Sequence, residues 1–364
     1  MTSSKMNSGE VTRQTIGAWR QVPANRPVRA VLVGCGGMSA EWLRAAAQVE
    51  GLEVVGLVDL NEDAARARQA EFGLTQAQTG TDLGRVLADT SPDLVFDCTV
   101  PEAHFQTALT AFEQGIGVLG EKPLADNMAH ARQMIQVGQS SAQFHAVIQN
   151  RRFDPNIRRV ERFVRSGRLG ELTTLNADFY VGAHFGGFRD TMEHVLLLDM
   201  AIHTFDSARL ISGQDPVSVY CHEWNPKGSW YAHGANAVAI FEMTGGVVFT
   251  YRGSWAAEGA RTTWESDWRV VGTAGSVVWD GGDHPTSSLV RETTGLLSDF
   301  TEAELPPANP QDRVGGHRGL IEEAVSSLRS GQPAETAAVD NVRSLAMVFA
   351  AIESAESGRK VLVD

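Results

Sequence analysis

A chain of 364 residues with a formal charge of −13 is long enough for two cores and too acidic for a nucleic-acid partner, whose phosphates need a basic face. Its three cysteines, Cys35, Cys98 and Cys221, are widely spaced and odd in number. They make neither a disulfide framework nor a zinc motif, and they suit a reducing compartment.

No apolar run is long enough to span a bilayer. Residues 1–25 are polar and lack the apolar centre of a signal peptide. A cytoplasmic globular protein with a flexible tail over 1–25 is expected, in which Ile16 and Trp19 could dock on a neighbouring subunit.

From Val28 the pattern becomes regular. Val28 to Val33 is a short apolar run with β-branched residues and reads as a buried strand. Gly34, Gly36 and Gly37 follow, then Met38, Leu43, Ala46, Ala47 and Val49 at helical spacing. The glycines allow a sharp turn and a close backbone approach, and the helix offers its first N–H groups to an anion. A second strand from Leu52 to Val58 ends at Asp59, about where an acid would meet an adenosine ribose. Strand, glycine turn, helix and acid in that order make a dinucleotide fingerprint, with Ser39 where a third Gly or Ala is commoner. Asp59 favours NAD over NADP, because a carboxylate accepts from the 2′-hydroxyl and repels a 2′-phosphate. Leu60 and Asn61, which follow, bring no arginine.

Helical patterns at 62–72, 82–88, 102–114 and 126–138 then alternate with strands at 94–98, 116–119 and 144–148. The alternation predicts a doubly wound parallel sheet over 26–148, with ligands beyond the C-terminal ends of its strands. After Ile148 a helix at 156–166 precedes strand-like runs at 172–181, 217–222, 237–243, 247–255, 268–272 and 276–279. An α+β domain over 149–364 is expected, with a large, open, mostly antiparallel sheet and closing helices at 313–330 and 339–357. An exposed face of that sheet suits a subunit contact; a helix covering it is the equally plain alternative.

Two stretches could carry chemistry. Lys122, in Glu121-Lys122-Pro123, follows the strand ending at Leu119 and projects into the crevice, where a cation would stabilise developing alkoxide. Asp199, His203 and Asp206 share a stripe of an otherwise apolar helix from Val195 to Ile211. Buried polar groups are costly unless paired, so the stripe either satisfies itself or lines a site. Two or three ligands with no further cluster do not make a metal site, and no metal is expected.

Taken together, several motifs resemble the Gfo/Idh/MocA family (glucose–fructose oxidoreductase, inositol dehydrogenase and MocA) over about 29–364. They are the glycine turn, Thr99-Val100-Pro101 with His104, Glu121-Lys122-Pro123, Asn150-Arg-Arg-Phe-Asp-Pro155, Gly167-Arg-Leu-Gly170 and Asp199-x-x-x-His203-x-x-Asp206. The resemblance implies a Rossmann domain followed by an α+β domain whose open sheet often mediates oligomerisation, here a dimer or tetramer. It implies NAD as cofactor and hydride exchange with a ring hydroxyl of a sugar, cyclitol or sugar derivative. Lys122 and His203 would flank the reacting carbon, with Asp199 holding substrate or orienting the histidine. His203 is suited to be the base, with Asp199 favouring its protonated form and Lys122 steadying the oxygen; order along the chain leaves open whether Lys122 or His203 takes the proton first.

Cofactor contacts are expected from Gly34, Gly36, Gly37, Met38, Asp59, Thr99, Pro101, His104, Glu121, Lys122 and Arg152, the last near the nicotinamide end. The family's glycine-rich approach to the Asp-x-x-x-His helix is replaced by Glu193-His194-Val-Leu-Leu-Leu198, which leaves the substrate wall open. Arg189 and His194 are candidates for it. His184, Glu193, Trp230, Tyr231, His233, Trp255, Arg261 and Trp264 are softer ones, and about a third of these together with Arg189 and His194 is expected to touch substrate. Two rivals remain. One is an NAD-dependent glycosidase working by transient oxidation, elimination, water addition and re-reduction. The other is a non-catalytic NAD-binding regulator, against which an intact Lys122 and His203 speak.

Overall fold

The computed structural model describes residues 19–293 and 295–364. Ile16 lies outside them. The first half alternates strand and helix: β1 (Val28–Val33), α1 (Ser39–Ala46), β2 (Leu52–Val58), α2 (Glu62–Glu71), β3 (Gln78–Gly80), α3 (Leu83–Thr90) and β4 (Leu94–Asp97). It continues with α4 (Pro101–Glu113), β5 (Gly117–Gly120), α5 (Met128–Ser140) and β6 (His145–Val147). The six strands pair in parallel in the order β3-β2-β1-β4-β5-β6. The order reverses between β1 and β4, and ligands of such sheets bind at that switch point, beyond the strand ends. Local chemistry sets the helix starts. Asn61, Asp82 and Asn127 each accept a backbone N–H of the first turn of α2, α3 and α5.

A 3-10 turn (Asn150–Phe153) leads into α6 (Pro155–Arg165) and β7 (Leu172–Tyr180). A π-helical turn (Leu196–Ala201) then runs directly into α7 (Ile202–Ser212). Seven strands follow: β8 (Pro216–Trp224), β9 (Asn236–Met243), β10 (Val248–Ser254), β11 (Asp267–Gly272), β12 (Gly275–Trp279), β13 (Thr286–Thr293) and β14 (Ser298–Ala303). Helices α8 (Gly316–Ser330) and α9 (Ala338–Ser357) and strand β15 (Val361–Leu362) close the chain. The second sheet has nine strands in the order β14-β13-β12-β11-β7-β10-β9-β8-β15. Its central pair, β7 and β10, is parallel and the other pairs are antiparallel.

One face of that sheet carries Leu175, Phe179, Phe241, Phe249, Tyr251 and Val270 into a core closed by α6, α7 and α9. On the other face Tyr220, Ile240, Val248 and Val278 are exposed. Of the two coverings the pattern allowed, helices cover one face and leave the other open among the described residues.

The chain ends depart from expectation. Trp19 is buried in its own subunit, edge-on to Phe144 at 5.6 Å, and its Nε1 donates to the Ser327 carbonyl at 3.0 Å. Val22 is buried too, so residues 19–22 pack against the chain within the stretch expected to be loose. Helix α8, expected within the second domain, lies on α1 and adds Leu320, Ile321, Ala324 and Leu328 to the core beneath β1. No helix of the described residues is long and apolar enough to cross a membrane.

Candidate active site

The glycine turn leaves the end of β1 at the switch point. Gly34 has φ +89°, and a Cβ there would lie 2.6 Å from the Cys98 carbonyl oxygen, so only glycine fits. Gly36 and Gly37 differ: a Cβ on either would meet nothing within 4 Å. Their backbone borders open space at the start of α1, whose first turn has no side-chain cap. A pyrophosphate fits that cradle, with backbone N–H groups and the positive end of the helix facing it.

Neighbouring side chains brace the turn. Ser39 donates its hydroxyl to the Gly36 carbonyl at 2.6 Å, and Arg68 Nη2 donates to the same oxygen at 2.9 Å. Asp59 accepts from Cys35 N at 2.7 Å and from Asn61 N at 2.8 Å, which fixes its carboxylate at the end of β2. Thr99 donates its hydroxyl to Asp97 at 2.5 Å, and Pro101 opens α4 across the crevice.

Between the domains lies a cleft of about 370 Å³. Met38, Glu121, Lys122, Arg189, Asp199 and His203 all line it. Lys122 Nζ donates to the Asp199 carbonyl at 2.9 Å and to Asp199 Oδ1 at 2.8 Å. Arg189 Nε donates to the other carboxylate oxygen, Oδ2, at 2.7 Å. Burial alone would raise the Asp199 carboxyl, but Lys122 and Arg189 outweigh it and hold it below its ordinary value. Glu121 accepts from Trp42 Nε1 at 2.8 Å and from its own neighbour's Lys122 N at 3.1 Å, and lies 3.4 Å from His317 Nε2. Burial raises its carboxyl, and His317, Lys122 and Trp42 more than offset this, so it too stays ionised.

His203 stands apart from this carboxylate chemistry. Its Nδ1 is buried without a hydrogen-bond partner among the described residues. Burial first, then the charges of Arg151, Lys122 and His317, push its imidazolium well below the ordinary range. The expected help from Asp199 is therefore corrected: that carboxylate is committed to Lys122 and Arg189, and His203 is held neutral.

Residues 28–147 match the oxidoreductase family with an NAD-binding Rossmann fold, and residues 157–278 match the GFO/IDH/MocA C-terminal domain. The chain belongs to the Gfo/Idh/MocA family. Among its relatives, the 1,5-anhydro-D-fructose reductase of Ensifer adhaerens is 25% identical over 92% of this chain and 98% of its own. The D-apiose dehydrogenase of Paraburkholderia graminis is 26% identical over 92% of this chain and 89% of its own. An oxidoreductase from Agrobacterium radiobacter, solved with NAD+, L-tartaric acid and magnesium, has the same fold, with a TM-score of 0.79 at 21% identity over 92% of this chain and 98% of its own. The first half of this Gfo/Idh/MocA protein is an NAD-binding domain.

Three expected contacts are corrected by the packing. Arg152 is buried away from the cleft; its Nε and Nη2 donate to Asp206 at 2.8 and 2.7 Å, and Nη2 also donates to Asp340 at 2.8 Å. Asp206 thus satisfies itself internally, while Asp199 and His203 line the cleft. The wider π-helical turn at Leu196–Ala201 interrupts the α-helical register that would join all three. His104 is buried between the Pro123 carbonyl, 2.9 Å from Nδ1, and the Thr99 carbonyl, 3.2 Å from Nε2. It ties two crevice loops together and does not face cofactor. His194 sits behind the site, with Nδ1 2.5 Å from Glu223, which raises its imidazolium above the ordinary value.

Of the softer group, Trp255 and Trp264 line the cleft with Arg189. Arg151, Phe185, Glu265 and His317 line it unforeseen. Arg151 is the neighbour of the residue chosen, and no composition signal separates the two. His317 arrives on α8 from 196 residues beyond Glu121, so only the fold could reveal it.

Proposed function

We propose that the chain is an NAD-dependent dehydrogenase that oxidises a ring hydroxyl of a sugar, cyclitol or sugar derivative. The observation that carries this reading is the shared cleft: Lys122 from the end of the parallel sheet and Asp199 and His203 from the second domain line one cavity with Met38 of the glycine turn. Two relatives named for small carbohydrates, 1,5-anhydro-D-fructose and D-apiose, support the substrate class.

NAD, when bound, supplies the hydride acceptor. The rest of the chemistry belongs to the chain. Gly36 and Gly37 give the backbone approach for the pyrophosphate, and Asp59 stands at the ribose end. A sugar hydroxyl is un-ionised at neutral pH, so its proton must leave as the hydride does. Neutral His203 is ready to accept that proton, assistance typically worth about 10²–10⁴-fold. Lys122 has three donors and spends two on Asp199, which leaves the third for the substrate oxygen as charge builds. Asp199 holds Lys122 and Arg189 in place. Trp255 supplies an apolar wall suited to a sugar C–H surface. The open face of the second sheet, with Tyr220, Ile240, Val248 and Val278, is the proposed contact of a homo-oligomer.

The test is a screen of sugars, uronates, sulfosugars, cyclitols and aryl glycosides with NAD, following NADH absorbance and leaving-group release together. NADH formed in step with substrate loss is the expected result. Glycoside cleavage without NADH would replace this reading with redox-neutral hydrolysis. A biological role that survives both Lys122→Ala and His203→Ala would replace it with regulation.

A further inference from the structure

Two large aromatic side chains that line the cleft stand exposed side by side, Phe185 at 51% and Trp264 at 47% with ring centroids 6.3 Å apart, and Phe188, 60% exposed, stands beside Arg189. Single exposed apolar residues are ordinary, but a cluster on the lip of a cleft marks a binding surface. Each ring has a packing partner within the chain. Phe185 packs on Trp255 at 5.2 Å and Trp264 packs on Trp255 at 6.1 Å. The Arg189 guanidinium lies between Phe185 and Phe188, 5.1 and 4.7 Å from their centroids.

From this lip we infer that the substrate is a glycoside with a planar, apolar aglycone, its sugar ring at Lys122 and His203 and its aglycone on Phe185 and Trp264. The inference rests on the proposed sugar-oxidising role of the cleft. Arg189 does not call for an anion here, because Nε and Nη2 both donate to Asp199, at 2.7 and 3.4 Å. A second sugar unit would turn only its C–H face to these rings, and its hydroxyls would lose water without finding polar partners on them. A flat aromatic group meets no such cost and stacks on side chains already packed against Trp255.

The test uses the full NAD-loaded chain and matched pairs of methyl and 4-nitrophenyl glycosides of glucose, galactose, mannose and xylose. For whichever sugar is oxidised, the 4-nitrophenyl member has a KM lower by about tenfold, and Trp264→Ala or Phe185→Ala brings the two members to near parity. Trp264→Phe keeps a ring and retains most of the preference, which separates loss of the aromatic face from loss of fold. Equal KM values within a pair, or a preference unmoved by the alanine variants, overturn the inference. So do alanine variants that change the oligomeric mass and leave the preference alone, for then the lip is a subunit contact.

Calorimetric binding of the same pairs to the chain with saturating NADH decides the lip independently of turnover. Tighter 4-nitrophenyl binding that Trp264→Ala abolishes, with no sugar oxidised, keeps the apolar subsite and removes the dehydrogenase reading. Equal binding of the two members removes the subsite.

Discussion

Lys122 Nζ sits 2.8 Å from Asp199 Oδ1, so a single ion pair joins the end of a parallel strand in one domain to the π-helical turn of the other. Both side chains are largely enclosed, at 15% and 10% exposure, and the pair is screened far less than a surface one. Arg189 holds the second carboxylate oxygen at 2.7 Å. The arrangement fixes the ammonium without consuming it.

Replacing Lys122 by Met removes the charge from the cleft and leaves Asp199 ionised against Arg189. NADH formation should fall by about 10²–10⁴-fold, in kcat more than in NAD affinity. Steady-state kinetics and NADH fluorescence titration read the two separately. A kcat within about threefold of the parent would remove Lys122 from the reaction.

The pH dependence follows from His203. Its imidazolium is pushed well below the ordinary range by burial, with Arg151, Lys122 and His317 adding to the effect. The acid limb of kcat/KM should therefore lie below about pH 6.5, leaving the rate flat through neutrality. Arg151→Met removes one of the repelling charges, so the limb should move up toward the ordinary histidine value. The sign for stability agrees. The unfolded chain takes the proton first, so the contribution of neutral His203 is complete above about pH 6.5 and is lost as the pH falls toward its depressed folded value. Rate profiles of parent and variant check the first point, and melting temperature against pH checks the second.

Arg152 gives the opposite kind of prediction. It is bound by Asp206 and Asp340, and Arg209 Nη2 donates to Asp340 at 2.9 Å while Ser344 donates to Asp206 at 2.7 Å. The side chains of Arg152 and Asp206 are only 8% and 1% exposed. Removing one member of such a pair strands the other, so Arg152→Met and Asp206→Asn should each cost about 3–5 kcal/mol. Chemical denaturation measures that loss. NAD affinity per folded molecule should stay with the parent, and a large fall there would return Arg152 to the cofactor site.

The legible parts of this molecule are those whose signal is local. Val28–Val33, the glycine turn and Asp59 lie within one βαβ unit, and strand and helix alternate around them with clear apolar periods. Lys122 and the Asp199 and His203 pair were readable because each stands in a compact motif. What stayed hidden depends on distant packing or weak pattern. The strand Gln78–Gly80 is three residues long, and Thr286–Thr293 and Ser298–Ala303, the last two strands at one end of the second sheet, are polar and without a buried alternation. Arg151 and Arg152 are adjacent in a 3-10 turn, and the turn alone decides which faces the cleft and which enters the core. The aromatic lip was visible only in part: Trp255 and Trp264 stood out as aromatic residues in the sheet region, whereas Phe185 and Phe188 lie in a connection with no period to read.

The two kinds of glycine in the nucleotide turn separate folding from cofactor binding. Gly34 has φ +89° and would place a Cβ 2.6 Å from a carbonyl oxygen, so Gly34→Ala is strained on both counts. It should lower the melting temperature of the chain even without NAD. Gly36 has a conventional φ and open space around the would-be Cβ, so Gly36→Ala should melt close to the parent. The added methyl instead enters the volume a pyrophosphate needs, and NAD affinity should weaken by about tenfold or more. Thermal melts with and without NAD distinguish the cases: Gly36→Ala loses the shift that NAD confers, while Gly34→Ala starts from a lower value. A Gly36→Ala protein that binds NAD as tightly as the parent would place the pyrophosphate somewhere other than this cradle.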